Sequence, residues 1–255
     1  MSYQTQEQAE RSICALICAH DGIKAREIAK KLTLDHTSVN RILYRSPLMK
    51  ELCWKDENHF WHGLIRQSYP HHGLREICAY YSDVQEFLSQ SEEEWLDRIK
   101  EGCINIGRNL NDTRGLIHSF CDCRLTMRRL FADLSEMTDD SFQDWEIAFE
   151  LKLKRGKYIR IYTDVLMIAK KRIFSLEFKM KDAIDPDEIL QAAKYTPYLE
   201  IVFGPTYDVI PVLVLTKAEE LFCYCPIGNT DMLLPVCSGD MLFNVLDEYL
   251  GFLKR

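Results

Sequence analysis

Two acidic residues and a lysine lie in an otherwise apolar hairpin of the sequence. The stretch DVLMIAKKRIFSLEFKMK, residues 164–181, consists of two apolar runs separated by basic residues. If the turn is centred on Lys170–Lys171, counting outward from it places Asp164 opposite Glu177. Their Cβ atoms would then be about 5 Å apart, and Lys179, two residues beyond Glu177, shares their face. The opposite face is apolar and consists of Val165, Met167, Phe174, Leu176 and Phe178.

Two carboxylates directly opposite each other on a sheet repel unless a positive charge lies between them. A hard divalent cation fits, because Mg²⁺ takes oxygen ligands from one or two carboxylates and completes its shell with water. The lysine could then orient or help to deprotonate a metal-bound water, or stabilise charge on a phosphate. The alternative is that Glu177 and Lys179 form the polar rim of an edge strand and pair with each other. The spacing of Asp164, the apolar opposite face and the segment that follows favour the metal site.

A helix is predicted to begin soon after the strand that bears Lys179. In AIDPDEILQAAKY, Asp185 suits the N-cap and Pro186 the first helical position. Gln191 and Tyr195 are four residues apart, so they share one face of this helix. The hairpin and the helix are therefore the elements expected to position the polar residues.

The ordered set of an aspartate, twelve residues, E-F-K and then Q-A-A-K-Y resembles the PD-(D/E)XK nuclease superfamily, in the RecB-like branch that adds a Q-x3-Y helix. The similarity extends over about residues 136–227. Within this range, the apolar segment Asp208–Thr216 looks like the next core strand of that fold. The segment 149–179 resembles the meander of nuclease modules in bacterial and phage defence proteins. Thr163 stands where the superfamily usually has proline.

The resemblance implies a role for each polar residue of the hairpin and helix. Asp164 and Glu177 would bind Mg²⁺ or Mn²⁺, and Lys179 would be the catalytic lysine. Gln191 and Tyr195 would orient the site or the substrate.

Many members of that superfamily also use a glutamate or histidine upstream of the hairpin. The candidates are Glu136, Glu146 and Glu150. The alternating strand IAFELKL is predicted to pair with the strand of Asp164, which makes a three-stranded antiparallel meander. A two-residue turn at Arg155–Gly156 would place Glu150 opposite Ile161, on the face away from Asp164, and this register favours Glu136 as the third metal ligand. One extra turn residue would reverse the argument against Glu150.

The first 66 residues carry the signals of a small DNA-binding domain. Two short helices with a tight connection are followed by ELCWKDENHFW, in which apolar residues flank a turn and suit a two-stranded hairpin. This order resembles the winged helix-turn-helix family over about residues 8–62. The resemblance implies that helix 35–46, capped by Asp35, is the recognition helix. The side chains expected to meet DNA are Lys30, Lys31, Ser38, Asn40, Arg41, Tyr44 and Arg45. Winged helices also serve as protein-interaction and dimerisation modules, which is the alternative.

The chain is expected to divide into three parts. These are a winged helix-turn-helix domain at 1–66, a helical connector with lead-in helices at 67–135, and a nuclease-like domain at 136–255. The expected fold class is α/β, with a restriction-endonuclease-like mixed sheet flanked by helices and an N-terminal winged helix domain.

Composition restricts the classes of function. The 255 residues are 47% hydrophobic and 28% charged, as in an ordinary globular protein. The N-terminus resembles neither a signal peptide nor a membrane anchor, so a cytoplasmic protein with no membrane association is expected. Ten dispersed cysteines fit reduced thiols better than a disulfide framework. The pairs Cys121/Cys123 and Cys223/Cys225 are C-x-C, which is not the spacing that chelates zinc comfortably.

The charge is unevenly distributed along the chain. Residues 1–66 contain ten basic and eight acidic side chains, and the remaining 189 residues contain 22 basic and 31 acidic ones. The formal net charge of −7 therefore comes from the C-terminal part of the chain. An acidic C-terminal part fits a metal site but argues against extensive contact with a nucleic-acid backbone there. Delivery of DNA would then fall to the N-terminal domain or to a partner.

These observations predict a metal-dependent nuclease that hydrolyses DNA, with the winged helix holding or selecting the substrate. The nuclease would act as a monomer, as a homodimer or with a partner protein. The alternative from another class is a DNA-binding regulator or assembly subunit that uses an inactive nuclease-like domain as a scaffold. A further alternative is RNA as the substrate. The family resemblance suggests a role in phage defence or repair.

Overall fold

The computed structural model describes residues 3–20, 22–64, 74–110, 113–139, 141–153 and 161–253, with the backbone alone at residues 3–5, 113 and 114. These residues form two compact units. The first contains the described residues within Met1–His72, Leu153–Arg160 and Pro197–Tyr207, and the second those within Gly73–Lys152, Ile161–Thr196 and Asp208–Arg255. In the part of the chain that the structure describes, no helix is long and apolar enough to cross a bilayer.

Helices and strands are distributed over the whole chain. The helices are α1 (Tyr3–Cys18), α2 (Ala25–Leu32), α3 (His36–Arg45), α4 (Pro47–Leu52), α5 (Leu74–Ile77), α6 (Val84–Ser89), α7 (Glu92–Asn105), α8 (Thr113–Met137), α9 (Pro186–Lys194), α10 (Thr196–Phe203) and α11 (Leu242–Leu250). A 3₁₀ turn at Gly239–Met241 precedes α11. The strands are β1 (Cys53–Lys55), β2 (Trp61–Gly63), β3 (Tyr80–Asp83), β4 (Glu146–Lys152), β5 (Tyr162–Ala169), β6 (Arg172–Lys179), β7 (Asp208–Leu215), β8 (Phe222–Pro226) and β9 (Leu233–Ser238).

The described residues of the first unit form helices and one small hairpin. Strands β1 and β2 pair antiparallel with Trp54 opposite His62, which confirms the two-stranded hairpin expected around the turn KDEN. The Asp35 carboxylate accepts a hydrogen bond from the Ser38 N–H at 2.8 Å. Asp35 therefore caps α3 as predicted, because it satisfies one of the free N–H groups of the first turn.

Seven strands form one mixed sheet in the second unit. Their order is β3-β4-β5-β6-β7-β9-β8. Strands β3 to β6 pair antiparallel in succession, β7 pairs parallel with both β6 and β9, and β8 pairs antiparallel with β9. A parallel neighbour requires a crossover connection, and α9 and α10 lie between β6 and β7. The protein is thus mixed α/β, with helices flanking a mixed sheet.

Both faces of the central strands are covered. The predicted apolar face is buried in one cluster with side chains of α7, α8 and α11. This cluster includes Val165, Met167, Phe174, Leu176, Phe178, Trp95, Phe131 and Leu246. On the other face, Ile189 and Ala192 of α9 pack against apolar residues of β7 and β9. Packing on two sides holds the strands that bear the polar residues in a fixed position.

Several local predictions for the second unit are confirmed. The pairs Val165–Leu176 and Ile168–Ile173 give the hairpin β5–β6 its expected register. The carboxylate of Asp185 accepts a hydrogen bond from the Asp187 N–H at 3.0 Å and caps α9, with Pro186 at its first position. Strand β7 occupies the apolar segment that starts at Asp208.

Two expectations about the sheet are wrong. The periodicity of residues 67–136 indicates helices throughout, but Tyr80–Asp83 forms β3, an edge strand too short to show a period of two. The second error concerns the register of β4 with β5. The pairs Phe149–Val165 and Leu151–Thr163 place Glu150 level with Asp164 and not with Ile161. The connection between these strands is longer than a two-residue turn, and most of it, residues 154–160, lies outside the described residues.

Candidate metal centre

Three adjacent strands of the sheet bring three carboxylates to one level. Glu150 lies on β4 and is flanked by the pairs that bracket Asp164 on β5. The β5–β6 ladder reaches Val165–Leu176, and the next step outward is Asp164 and Glu177. The Phe178 N–H donates a hydrogen bond to Asp164 Oδ2 at 2.8 Å, which fixes the Asp164 side chain against β6. The expected juxtaposition of Asp164 and Glu177 is therefore present in the structure.

Glu177 has one satisfied and one unsatisfied carboxylate oxygen. Its side chain is only 3% exposed. Oε1 accepts hydrogen bonds from Lys179 Nζ at 2.9 Å and from Gln191 Nε2 at 2.5 Å. Among the described residues, the buried Oε2 has no hydrogen-bond partner. A buried anionic oxygen without a partner costs free energy, so this atom marks a position where a cation would be stabilised.

The helix α9 contributes a polar network to the same place. Gln191 Oε1 accepts a hydrogen bond from Lys179 Nζ at 3.3 Å, and Gln191 Nε2 also donates to Tyr195 Oη at 3.2 Å. Tyr195 is buried at the C-terminal end of α9. The structure thus brings together Asp164, Glu177, Lys179, Gln191 and Tyr195, all of which the sequence predicted to be site residues.

Glu150 is held by an arginine that the sequence analysis did not identify. Arg108 Nε lies 2.6 Å from Glu150 Oε2, and the guanidinium lies 4.2 Å from the centre of the Tyr162 ring. Glu150 is 3% exposed, and its φ of 55° is in the left-handed region. A non-glycine residue adopts this conformation only when its surroundings hold it there. Arg108 follows α7, about 40 residues before β4, so no local pattern links the two.

Burial raises the pKa of all three carboxyl groups. For Glu150 the pKa rises to about 8, because the charges of Asp164 and Glu177 add to the effect of burial while Arg108 opposes it. Burial also raises the pKa of Asp164 against the effects of the Phe178 N–H, Lys179 and Arg108. The pKa of Glu177 rises through burial and the charge of Asp164. Without a cation, the cluster therefore retains protons near neutral pH.

The pKa of Lys179 is also raised, but burial is not the cause. Burial alone would lower the pKa of its ammonium group, but the charge of Glu177 and their hydrogen bond outweigh burial and raise it. Lys179 is therefore positively charged at neutral pH in the metal-free protein. A charged lysine is suited to stabilise a phosphate rather than to abstract a proton.

The residues fit a hard divalent cation. Mg²⁺ requires oxygen ligands and uses one or two carboxylates with water, which Asp164 and Glu177 provide. The ligand oxygens of all three acids do not lie within 4.8 Å of one another, a spacing that within the described ranges is reached only by Cys14, Cys18 and Cys53. Glu150 lies on the strand beside them, with its Oε2 against Arg108.

The other two upstream glutamates lie elsewhere. Glu136 is exposed near the end of α8, and its charge acts on Asp133. Glu146 begins β4 opposite Ile168 and hydrogen-bonds Tyr81, whose pKa is raised first by burial and then by this acid. The structure therefore does not bring Glu136, the upstream residue favoured from the sequence, to the carboxylate cluster. Glu136 remains on α8, and the β4–β5 register places Glu150 beside Asp164 instead.

The residues predicted to bind DNA lie on α2 and α3 of the first unit. Lys30, Lys31, Arg41, Tyr44 and Arg45 are exposed, and Ser38 and Asn40 are half-buried. Tyr44 packs edge-on against Trp61 and accepts a hydrogen bond from Lys55 Nζ at 2.9 Å. The sequence analysis did not name Lys55 or Trp54, although Trp54 is 48% exposed and stacks on His62 in the hairpin. The available signal was Trp54 just before the turn KDEN and Lys55 as its first residue.

Comparisons with known proteins leave the family open. No protein-family model matches the sequence, and no curated protein matches it. The chain is similar to a solved structure, the protein VC1899 from Vibrio cholerae, with 11% sequence identity and a TM-score of 0.29. The alignment covers 99% of this chain and 57% of that protein, so this chain spans little more than half of its length. Similarity at this level supports no argument about fold or function.

Proposed function

We propose that this chain is a metal-dependent nuclease that hydrolyses DNA phosphodiester bonds. The observation that carries the proposal is the convergence of Glu150, Asp164 and Glu177 with Lys179 on three adjacent strands. A cluster of three buried acids with raised pKa values is typical of a functional site. A site that binds a cation and a phosphate accounts for all of them.

Each residue of the cluster has a distinct role in this proposal. Asp164 and Glu177 hold Mg²⁺ or Mn²⁺, which when bound acts as a Lewis acid for the attack of water on phosphorus. Lys179 stabilises negative charge on the phosphate through its ammonium group. Gln191 fixes the orientation of Glu177 and Lys179 by hydrogen bonds to both. Tyr195 in turn fixes Gln191.

The proposal includes membership of the PD-(D/E)XK superfamily. It is supported by the order of Asp164, E-F-K and Q-x3-Y along the chain. It is also supported by a mixed sheet in which Asp164 and the E-F-K residues lie on neighbouring strands, with Gln191 of α9 hydrogen-bonded to Glu177. Glu150 takes the place of the upstream acid that many members use. A role in phage defence or repair rests on the same resemblance.

The N-terminal unit is proposed to be a winged helix that engages DNA. Support comes from the two-stranded hairpin after α4 and from the exposed basic residues of α2 and α3. Contacts with DNA phosphates require basic side chains. Residues 1–66 contain a small excess of basic over acidic side chains, while the rest of the chain is acidic. Exposed Trp54 and Lys55 extend this candidate surface to the hairpin.

A cleavage assay tests the catalytic proposal. Purified protein is incubated with linear, circular or single-stranded DNA, or with RNA, in the presence of Mg²⁺ or Mn²⁺. We expect Asp164→Asn and Lys179→Ala to lower the cleavage rate by about 10²–10⁴-fold, the usual range for a lost catalytic group. Asp182→Asn, at an exposed acid just beyond β6, is the matched control and should cleave normally. Absence of cleavage of every substrate by the wild-type protein would overturn the proposal.

The same assay identifies the upstream acid. We expect Glu150→Gln to lower the cleavage rate and Glu136→Gln to retain it, because only Glu150 is level with Asp164. The reverse result would assign the role to Glu136.

A second candidate function is that of a catalytically inactive DNA-binding regulator or assembly subunit. The ion pairs Arg108–Glu150 and Lys179–Glu177 favour it, since pairs of this kind also stabilise purely structural sites. In this case the wild-type protein binds DNA without cleaving it, and Mg²⁺ leaves its thermal stability unchanged.

A further inference from the structure

Three buried cysteines meet inside the first unit, far along the chain from the carboxylate cluster. Cys14 and Cys18 are one turn apart on α1, and Cys53 begins β1. Their exposed fractions are 1%, 5% and 6%. All three sulfur atoms lie within 4.8 Å of one another, and Cys14 Sγ is 4.0 Å from Cys53 Sγ.

These distances suit a metal ion better than a disulfide. Zinc binds thiolate sulfur at about 2.3 Å with tetrahedral angles, which separates the sulfurs by about 3.8 Å. A disulfide requires a separation of about 2.05 Å. The i, i+4 spacing on α1 directs two sulfurs to the same side of the helix, and β1 supplies the third from a different element. Because the three sulfurs come from two elements, a bound zinc ion would join α1 to β1.

A cleft in the same unit borders Cys14. It has a volume of about 270 Å³ and is lined by Cys14 together with Arg11, Ala15, Leu48 and Ile201. Water has a share of about 30 Å³ in the liquid, so the cleft holds several molecules. The fourth ligand beside the three thiolates would be a water supplied from this cleft.

We propose that Cys14, Cys18 and Cys53 form a zinc site that joins α1 to the hairpin β1–β2. Binding converts the thiols to thiolates and releases protons, so the affinity falls as the pH is lowered. The site is separate from the proposed nuclease and does not depend on that activity.

Metal analysis of the whole chain tests this site. The protein is purified under reducing conditions without chelators, dialysed, and analysed for zinc by mass spectrometry. We expect about one zinc ion per chain. Cys14→Ser and Cys53→Ser should lower this content by roughly tenfold. Cys103→Ser removes a buried cysteine from the other unit and is the matched control that should retain zinc, as should Asp164→Asn.

Cobalt substitution keeps the proposal testable if the cysteine variants do not fold. Wild-type protein with Co²⁺ in place of Zn²⁺ should show the intense ultraviolet charge-transfer absorption of thiolate coordination. If the wild-type protein contains no zinc, takes up none when it is supplied, and shows no such absorption with Co²⁺, the proposal is wrong. Zinc that persists in a folded Cys14→Ser, Cys53→Ser double variant would equally overturn it.

Discussion

Glu150 illustrates how one residue can combine backbone strain, burial and charge. Glu150 is not an ordinary surface acid. It has a left-handed φ, is 3% exposed and contacts Arg108. Its pKa of about 8 means that the folded protein binds a proton there under conditions in which the unfolded chain, at a pKa of 4.5, does not. The free energy of unfolding must therefore depend on pH through this residue.

We predict that metal-free protein becomes less stable as the pH rises from about 4.5 to about 8. Over this window the folded state holds more protons than the unfolded state, so the free energy of unfolding decreases with pH. Glu150→Gln should flatten the slope, because an amide does not titrate. Arg108→Met should extend the decrease to higher pH, because Arg108 lowers the pKa of Glu150.

Urea denaturation in Mg²⁺-free buffer at a series of pH values measures this dependence. Arg108→Lys is the matched variant, since it retains the positive charge and should preserve the window. An identical slope in the wild-type protein and Glu150→Gln would show that Glu150 is ionised at an ordinary pKa.

At the scale of elements, the sheet is held by close contacts between helix and strand. α7 contacts the residue before β3, where a Cβ added to Gly102 would lie 1.7 Å from the Ala79 carbonyl oxygen. The Ala79 N–H donates a hydrogen bond to the Phe149 carbonyl at 3.0 Å, next to Glu150. The glycine thus lets α7 approach the strands that support the carboxylate cluster.

We predict that Gly102→Ala destabilises the protein by roughly 1–3 kcal/mol, because the helix must move away from the backbone of Ala79. Gly115→Ala in α8 is the matched control. No atom lies within 4 Å of its added Cβ, so it should stabilise α8 by up to about 1 kcal/mol through helix propensity. The midpoints of urea denaturation compare the two, and shifts of the same sign would contradict the prediction.

Helix α3 carries the prediction for DNA binding. The double substitution Arg41→Ala with Arg45→Ala should weaken binding and lower the slope of log affinity against log salt concentration by about 2, or roughly one per phosphate contact. The control is Arg26→Ala with Lys50→Ala, which removes the same charge from exposed positions on α2 and α4. Titrations at several salt concentrations measure both. Equal losses in the two double variants would assign the effect to net charge and not to α3.

Across the whole molecule, the sequence predicted what depends on near neighbours and missed what depends on distant ones. The register of β5 with β6 follows from a two-residue connection, and Asp35 and Asp185 are identifiable as caps from adjacent residues. The register of β4 with β5 depends on a longer connection whose length no pattern marks. For this reason the acid at Glu150 was disfavoured.

Residues joined only by tertiary structure left no signal in the sequence. Arg108 reaches Glu150 from a loop after α7, and Cys53 meets two cysteines of α1 from 35 or more positions away. The C-x-C pairs of the sequence give no indication of a site assembled from cysteines of separate elements. Contacts of this kind depend on tertiary packing, and no local pattern in a single sequence indicates them.

Metal binding should be visible in the stability of the molecule as a whole. A ligand that binds only the folded state stabilises it by about 2.7 kcal/mol at 100 times its Kd. We expect Mg²⁺ or Mn²⁺ to raise the melting temperature of the dialysed protein more at pH 8 than at pH 6, since burial raises the pKa of the ligand Glu177 to about 7 and protons then compete with the cation for its carboxylate. Asp164→Asn and Glu177→Gln should lose the increase, whereas Asp182→Asn should keep it. A wild-type melting temperature that does not respond to either metal at either pH would remove the basis for a cation at this cluster.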